Sequence, residues 1–245
     1  MNSLRALLVA IAVLFGAVSA QAQAVSGQGT WETTLQARDI GNTGTTNAFY
    51  DTALNITWLR DANMNGLMDW NTAMSWASSL TVGNIGGWRL PTTNSSAWNS
   101  DCWAYPSGQA NCSAPVLAAT GEMPHLFYAS LGNKTVYDSN GNGPQPGAGL
   151  VNVANFVNLN YTYWSGTEIY SNSGAWVFAT GWGENYPYSN KDGAFLAMAV
   201  HNGDIGTVVA NVPEPETYAM LVAGLGVIGA VARRRQSDKA LVIKS

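Results

Sequence analysis

Charge is scarce in this chain: Asp, Glu, Lys and Arg make up only 11% of its 245 residues. Histidine is limited to His125 and His201, and cysteine to Cys102 and Cys112. Each shortage excludes a class of function. Between residues 23 and 212 five basic residues (Arg38, Arg60, Arg89, Lys134, Lys191) face twelve acidic ones, a net charge of about −7. A body of that sign with no basic patch lacks the electrostatic drive that nucleic-acid or sulfated-polyanion binding requires. Partners are expected to be neutral or cationic, and nucleic acid is not among them. No G-x-S-x-G or other local triad signature is present. His125, between Pro124 and Leu126, reads as a helix or core residue, and His201 precedes a turn at Asn202-Gly203-Asp204. No catalytic residue is nominated, and no cofactor is expected apart from the calcium considered below.

What is abundant sits at the two ends. Residues 1–22 carry Arg5, an apolar core from Ala6 to Val18 and then small residues, with A-x-A sites ending at Ala22 and Ala24. That is the form of a secretory signal peptide, removed on export. Near the other end, Pro213-Glu214-Pro215 precedes an uncharged run from Thr217 to Ala232 and then Arg233-Arg234-Arg235. A sixteen-residue helix of that run would be roughly 24 Å long, just short of a hydrocarbon core. The arginines would hold its far end in the cytoplasm, leaving everything before Pro213 outside. In an oxidising compartment Cys102 and Cys112 read as a disulfide closing a short loop, worth about 2–3 kcal/mol in the chain-entropy model. Free thiols and a metal pair are the alternatives.

The tripartite tail resembles the PEP-CTERM sorting signal of exopolysaccharide-producing Gram-negative bacteria, carried here by Pro213, Glu214, Pro215, the apolar span and Arg233, Arg234 and Arg235. The resemblance implies an exosortase as partner, a transient membrane stage, and delivery to the cell surface or extracellular matrix. An ordinary C-terminal membrane anchor is the plainer alternative.

Between these ends the pattern is mixed. Trp31–Leu35 begins like a strand, Ala48–Arg60 reads as a hairpin turning near Asn55, and Trp70–Leu80 has apolar residues at helical spacing behind Asp69 as N-cap. Residues 94–121 read as a surface loop, Glu122–Leu131 as a second short helix closed by Gly132, and residues 135–159 as a loop-rich stretch. Tyr161–Glu168, Ala175–Thr180, Ala194–Val200 and Thr207–Val212 read as strands. Two short helices among mainly antiparallel strands make an α+β domain.

FYDTALNITWLRDAN, GGWRLPT, EMPHLFYASLGN, YWSGTE, AWVFATG and AMAVHNGDIG occur in that order between Ala48 and Gly206. Together they resemble the Lcl C-terminal domain type, a domain of unknown function named after a collagen-like adhesin. The resemblance implies one C-type lectin-like domain. It divides the chain into a signal peptide (1–22), an N-terminal strand and turn segment (23–47), the domain itself (48–206), a linker (207–212), the sorting signal (213–235, with its membrane helix at 217–232) and a cytoplasmic tail (236–245). WRLPT is also similar to an element of formylglycine-generating enzymes. That chemistry uses a copper-binding cysteine pair late in the domain, whereas both cysteines here follow WRLPT closely.

Two kinds of site residue stand out. Asp61, Asn63, Asn65 and Asp69, with Gly66, copy the first part of a calcium loop, although Thr72 stands where the bidentate Glu belongs. The competing reading is an Asn/Gly turn with local Asx hydrogen bonds. The same choice applies to Asp138–Gly143. Of the ten tryptophans, most fall in predicted strands and helices and are expected in the core, whereas Trp98, Trp103 and Trp182 lie in polar, loop-like surroundings and are candidates for ligand contact. The expected function is a non-enzymatic secreted surface or matrix protein binding exopolysaccharide or another surface glycan. A structural matrix protein without a specific ligand and a formylglycine-generating-type enzyme are the alternatives.

Overall fold

The computed structural model describes residues 23–94, 114–169 and 173–208. The expected signal peptide, Trp98, Cys102, Trp103, Cys112 and the sorting motif lie outside the described residues. Among the described residues no helix is long and apolar enough to cross a membrane.

The hairpin forms where the sequence predicts it, as β2 (Ala48–Asp51) and β3 (Ile56–Leu59), paired antiparallel with Asp51 opposite Ile56. Asp51 is buried, and its carboxylate accepts from the amides of Ala53 and Leu54 and from the Trp58 indole. Asn55 supplies the left-handed residue of the turn at φ 53°. On one side β2 pairs with β1 (Leu35–Asp39), and on the other β3 pairs with β7 (Val200–Asn202), both antiparallel. With β8 (Thr207–Val208) beside β1, the order is β7-β3-β2-β1-β8. A second antiparallel sheet has the order β4-β5-β6, from Thr162–Glu168, Ala175–Ala179 and Glu184–Tyr188.

Three of these elements depart from expectation. Trp31–Thr34 is a helical turn, α1, because Thr33 and Thr34 bond through both amide and hydroxyl back to the Thr30 carbonyl. Such local bonds compete with a sheet ladder, so the strand begins only at Leu35. Of the expected strand Ala194–Val200 only Val200 enters a ladder, as the first residue of β7. Phe195 bridges to Met68, Leu196 to Tyr163 and Val200 to Arg89, so the segment stitches separate elements together. His201 lies in β7 opposite Thr57, and Asn202, expected to open a turn, is the last residue of that strand. Strand β6 went unforeseen because Pro187 interrupts it. It is an edge strand, where a missing N–H costs no ladder bond.

Helix α2 (Trp70–Ser79) and helix α4 (Glu122–His125), which continues into a wider turn at Leu126–Ser130, match the two expected helices. A short α3 (Ala114–Ala118) lies within the stretch read as loop. The wider turn carries Leu126, Phe127 and Tyr128 into the main core with Trp58, Phe178 and Met198, between the two sheets. Trp70 and Ala73 of α2 pack with Trp164 and Val177 of the second sheet. Trp58, Trp70, Trp88, Trp164 and Trp176 are all buried, as the pattern predicted for most of the tryptophans.

The N-terminal segment is tied to this core by amides. Asn152, fully buried, accepts from the amides of Val25 and Ala154 and donates to the carbonyls of Gln28 and Leu131. Asn133 donates to the Asn152 carbonyl and accepts from the amides of Val151 and Asn152. The strap lies so close that a Cβ on Gly132 would stand 2.5 Å from the Gly29 nitrogen, which only glycine tolerates. Asn152→Ala would leave several buried partners unsatisfied at once. It is expected to lower the unfolding free energy by about 3 kcal/mol, read from the midpoint of urea denaturation.

Candidate functional site

Arg89 of the WRLPT segment is a clamp. Its guanidinium meets both Glu122 carboxylate oxygens at 2.7 Å and donates from Nε and Nη2 to Asn202 Oδ1 at 3.0 and 2.7 Å. One Glu122 oxygen also accepts from the Thr92 amide at 2.7 Å. His125 and Glu122 line a hollow of about 420 Å³. There the carboxylate is already occupied by Arg89 and Thr92.

The two carboxylates of the calcium-like loop have local tasks. Asp61 Oδ1 accepts from the Asn63 amide, an Asx turn, and from Asn158 Nδ2, each at 3.0 Å. Gly66 takes φ 73°, and Asn65 is exposed. Asp69 caps α2: its two carboxylate oxygens accept from the Thr72 amide at 2.9 Å and the Thr72 hydroxyl at 2.6 Å. Asn63 Oδ1 is buried and unpaired. Asp138 likewise accepts from the amides of Asn140 and Asn142, closing its own turn. Among the described residues no cluster of three or more His, Cys, Asp or Glu is arranged to hold a metal.

A larger concavity lies elsewhere, a groove of about 550 Å³ between residues 148–161 and the turn after β5. Its floor is apolar, from the buried Val153, Phe156 and Leu159. Asn158, Asn160 and Thr180 are its polar lining residues, and no charged side chain lines it. Tyr161 stands at the rim with 74% of its surface exposed. Trp182 follows the lining residue Gly181 and is 51% exposed.

The groove is rigid. Thr180 donates its amide to the Tyr161 carbonyl and its hydroxyl to the carbonyls of Asn160 and Tyr161. The Tyr161 amide donates to Asn160 Oδ1, and the Asn160 amide to the Tyr163 hydroxyl. Gly149, at φ 85°, passes so near the opposite wall that a Cβ there would meet the Gly181 carbonyl at 2.8 Å. Behind the turn, the buried Tyr128 donates its hydroxyl to the Gly183 carbonyl. Burial, helped by the charge of Glu184, pushes this phenol well above its ordinary range, so it stays a donor.

Of the residues nominated from sequence, Trp182 lies beside this groove; Trp98 and Trp103 fall outside the described residues. Tyr161, Asn158, Asn160 and Thr180 were not foreseen as site residues. Alternation from the buried Tyr163 would turn Tyr161 inward as well. But β4 starts only at Thr162, and the preceding chain bends through a left-handed Asn158 at φ 57°.

Compared with known families, residues 211–236 match the model of the PEP-CTERM protein-sorting motif. No curated protein and no solved structure matches the chain. The motif implies recognition by an exosortase, and with it export and processing at the membrane.

The cap of α2 generates a pH prediction. Bonds from Thr72, hydroxyl first and then amide, hold the Asp69 carboxyl below its ordinary value of 3.8. A lowered folded-state value means that the contribution is complete above the ordinary value and is lost as pH falls through the folded one. Asp69→Asn should therefore unfold at lower urea than the native chain at pH 6, with the gap closing toward pH 2.

Proposed function

We propose that this is a non-enzymatic surface or matrix protein whose body binds a neutral glycan in the groove beside Tyr161. The observation that carries the reading is an exposed aromatic ring at the rim of an uncharged groove lined by the exposed Asn158 and Asn160. A tyrosine face with its negative quadrupole suits the C–H face of a pyranose ring, while exposed asparagine carboxamides suit sugar hydroxyls. The acidic body disfavours sulfated or other anionic polymers by the same electrostatics that disfavour nucleic acid.

The body is read as a single C-type lectin-like domain. Its α+β composition, two longer helical segments and antiparallel sheets support that assignment, as does the pairing of Arg89 with Val200, which joins the WRLPT segment to the late strand. The exosortase would act near Pro213-Glu214-Pro215 and release the body toward the exopolysaccharide. Calcium is not required by the groove, whose lining side chains are neutral. A structural matrix protein without a specific ligand is the second reading, favoured by how fully Asp61, Asp69, Arg89 and Glu122 are used in internal bonds.

Two experiments test these claims. Replacing Pro213, Glu214 and Pro215 together by alanine should leave the protein in the membrane fraction, whereas the native protein appears at the surface or in the medium, seen by fractionation and blotting. Tyr161→Ala should weaken binding of the exported protein to exopolysaccharide purified from the producing cells by about tenfold, measured by titration calorimetry. Equal binding by the variant and the native protein would sink the groove as a glycan site.

A further inference from the structure

We infer that Asp61 is a positioning residue of the groove, acting through Asn158 rather than through a bound cation. The inference rests on the reading of the groove as a glycan site. Asn158 is both a wall residue and the point where the chain takes a left-handed turn just before Asn160 and Tyr161. Its Nδ2 donates to Asp61 Oδ1 at 3.0 Å, the atom that also accepts from the Asn63 amide.

Main-chain bonds bolt the same place from either side. The Ala62 amide donates to the Val157 carbonyl and the Val157 amide to the Arg60 carbonyl, both at 3.0 Å. Arg60 adds a bond from its Nε to the Asn155 carbonyl at 3.1 Å. The Arg60–Ala62 segment therefore forms a rail along which residues 155–158 are held. The one contact in that rail made between two side chains is Asp61 with Asn158.

The wall then passes its position to the rim. Tyr163 places its hydroxyl between the Asn160 amide, which donates to it at 2.8 Å, and the Asn158 carbonyl, to which it donates at 3.4 Å. Asp61 is thereby connected to Asn160 and, one residue on, to Tyr161.

An acceptor oxygen is all that this role demands of residue 61, whereas a calcium ligand would need the charge. That difference makes the inference testable on the exported protein with exopolysaccharide purified from the producing cells. Asp61→Ala and Asn158→Ala should each weaken binding about tenfold, and the double variant should be no weaker than either alone, the mark of coupled residues. Asp61→Asn, which keeps the acceptor, should bind within about twofold of the native protein, and a chelator should change nothing. Thermal melts of all four variants check that the body is folded, and Asn158→Gly, which removes the side chain while tolerating the left-handed backbone, supplies the test if Asp61→Ala does not fold.

If Asp61→Ala and Asn158→Ala bind like the native protein while Tyr161→Ala is weakened, the positioning role is wrong and the groove stands. If Asp61→Asn is as weak as Asp61→Ala and chelator weakens the native protein equally, Asp61 holds a cation and the inference is overturned. If Tyr161→Ala is unchanged as well, the groove reading itself fails and takes this inference with it.

Discussion

The fork of Arg89 around Glu122 is the contact on which the rest of the body hangs. It joins three stretches far apart in sequence: the segment leading from α2, the start of the second helical element, and the late strand through Asn202. An arginine suits this place better than a lysine because its planar guanidinium can face a carboxylate with two donors and still reach a third oxygen. Once the clamp is closed, the wider turn after α4 is held so that Leu126, Phe127 and Tyr128 fill the space between the sheets. Tyr128 in turn supports the Gly183 carbonyl, and so the turn beside which the groove opens. A surface hollow on one side of the domain thus inherits its shape from an ion pair on another.

Features set by local chemistry were legible in the sequence. Asp69 before an apolar period of 3.6, Asn55 between an aromatic and a β-branched run and Gly132 after Leu131 each announce an element whose cause lies within a few residues. The misreadings have the opposite character. The extended segment before Val200 has strand composition, but its partners are three different elements, and nothing local reveals that. Pro187 hides β6 because tolerance of proline depends on being at an edge. Trp31–Thr34 looks like a strand until the hydroxyls of Thr33 and Thr34 find the Thr30 carbonyl.

The groove was illegible for a similar reason. Its residues are an exposed tyrosine, two asparagines and a threonine, none of them rare and none at motif spacing. They become a site only because a left-handed bend at Asn158 and the close approach of Gly149 to Gly181 bring them around one hollow. By contrast, the loop that does look like a motif, from Asp61 to Asp69, spends its carboxylates on an Asx turn, a tie to Asn158 and a helix cap. Motif spacing finds residues that a chemistry needs; it does not reveal whether the fold has already used them.

The N-terminal strap carries a consequence for export. Val25 bonds to Asn152, 127 positions further on, and Arg38 pairs with Asp204, 166 positions further on. A chain threaded through the membrane from its N-terminus cannot complete either contact until nearly the whole body has emerged. The first segment out must wait for its partners, so folding belongs to the end of translocation. Asp204 appears only a few residues before the sorting motif at 211–236, which places closure of the body and presentation of the tail to its processing enzyme in nearly the same moment.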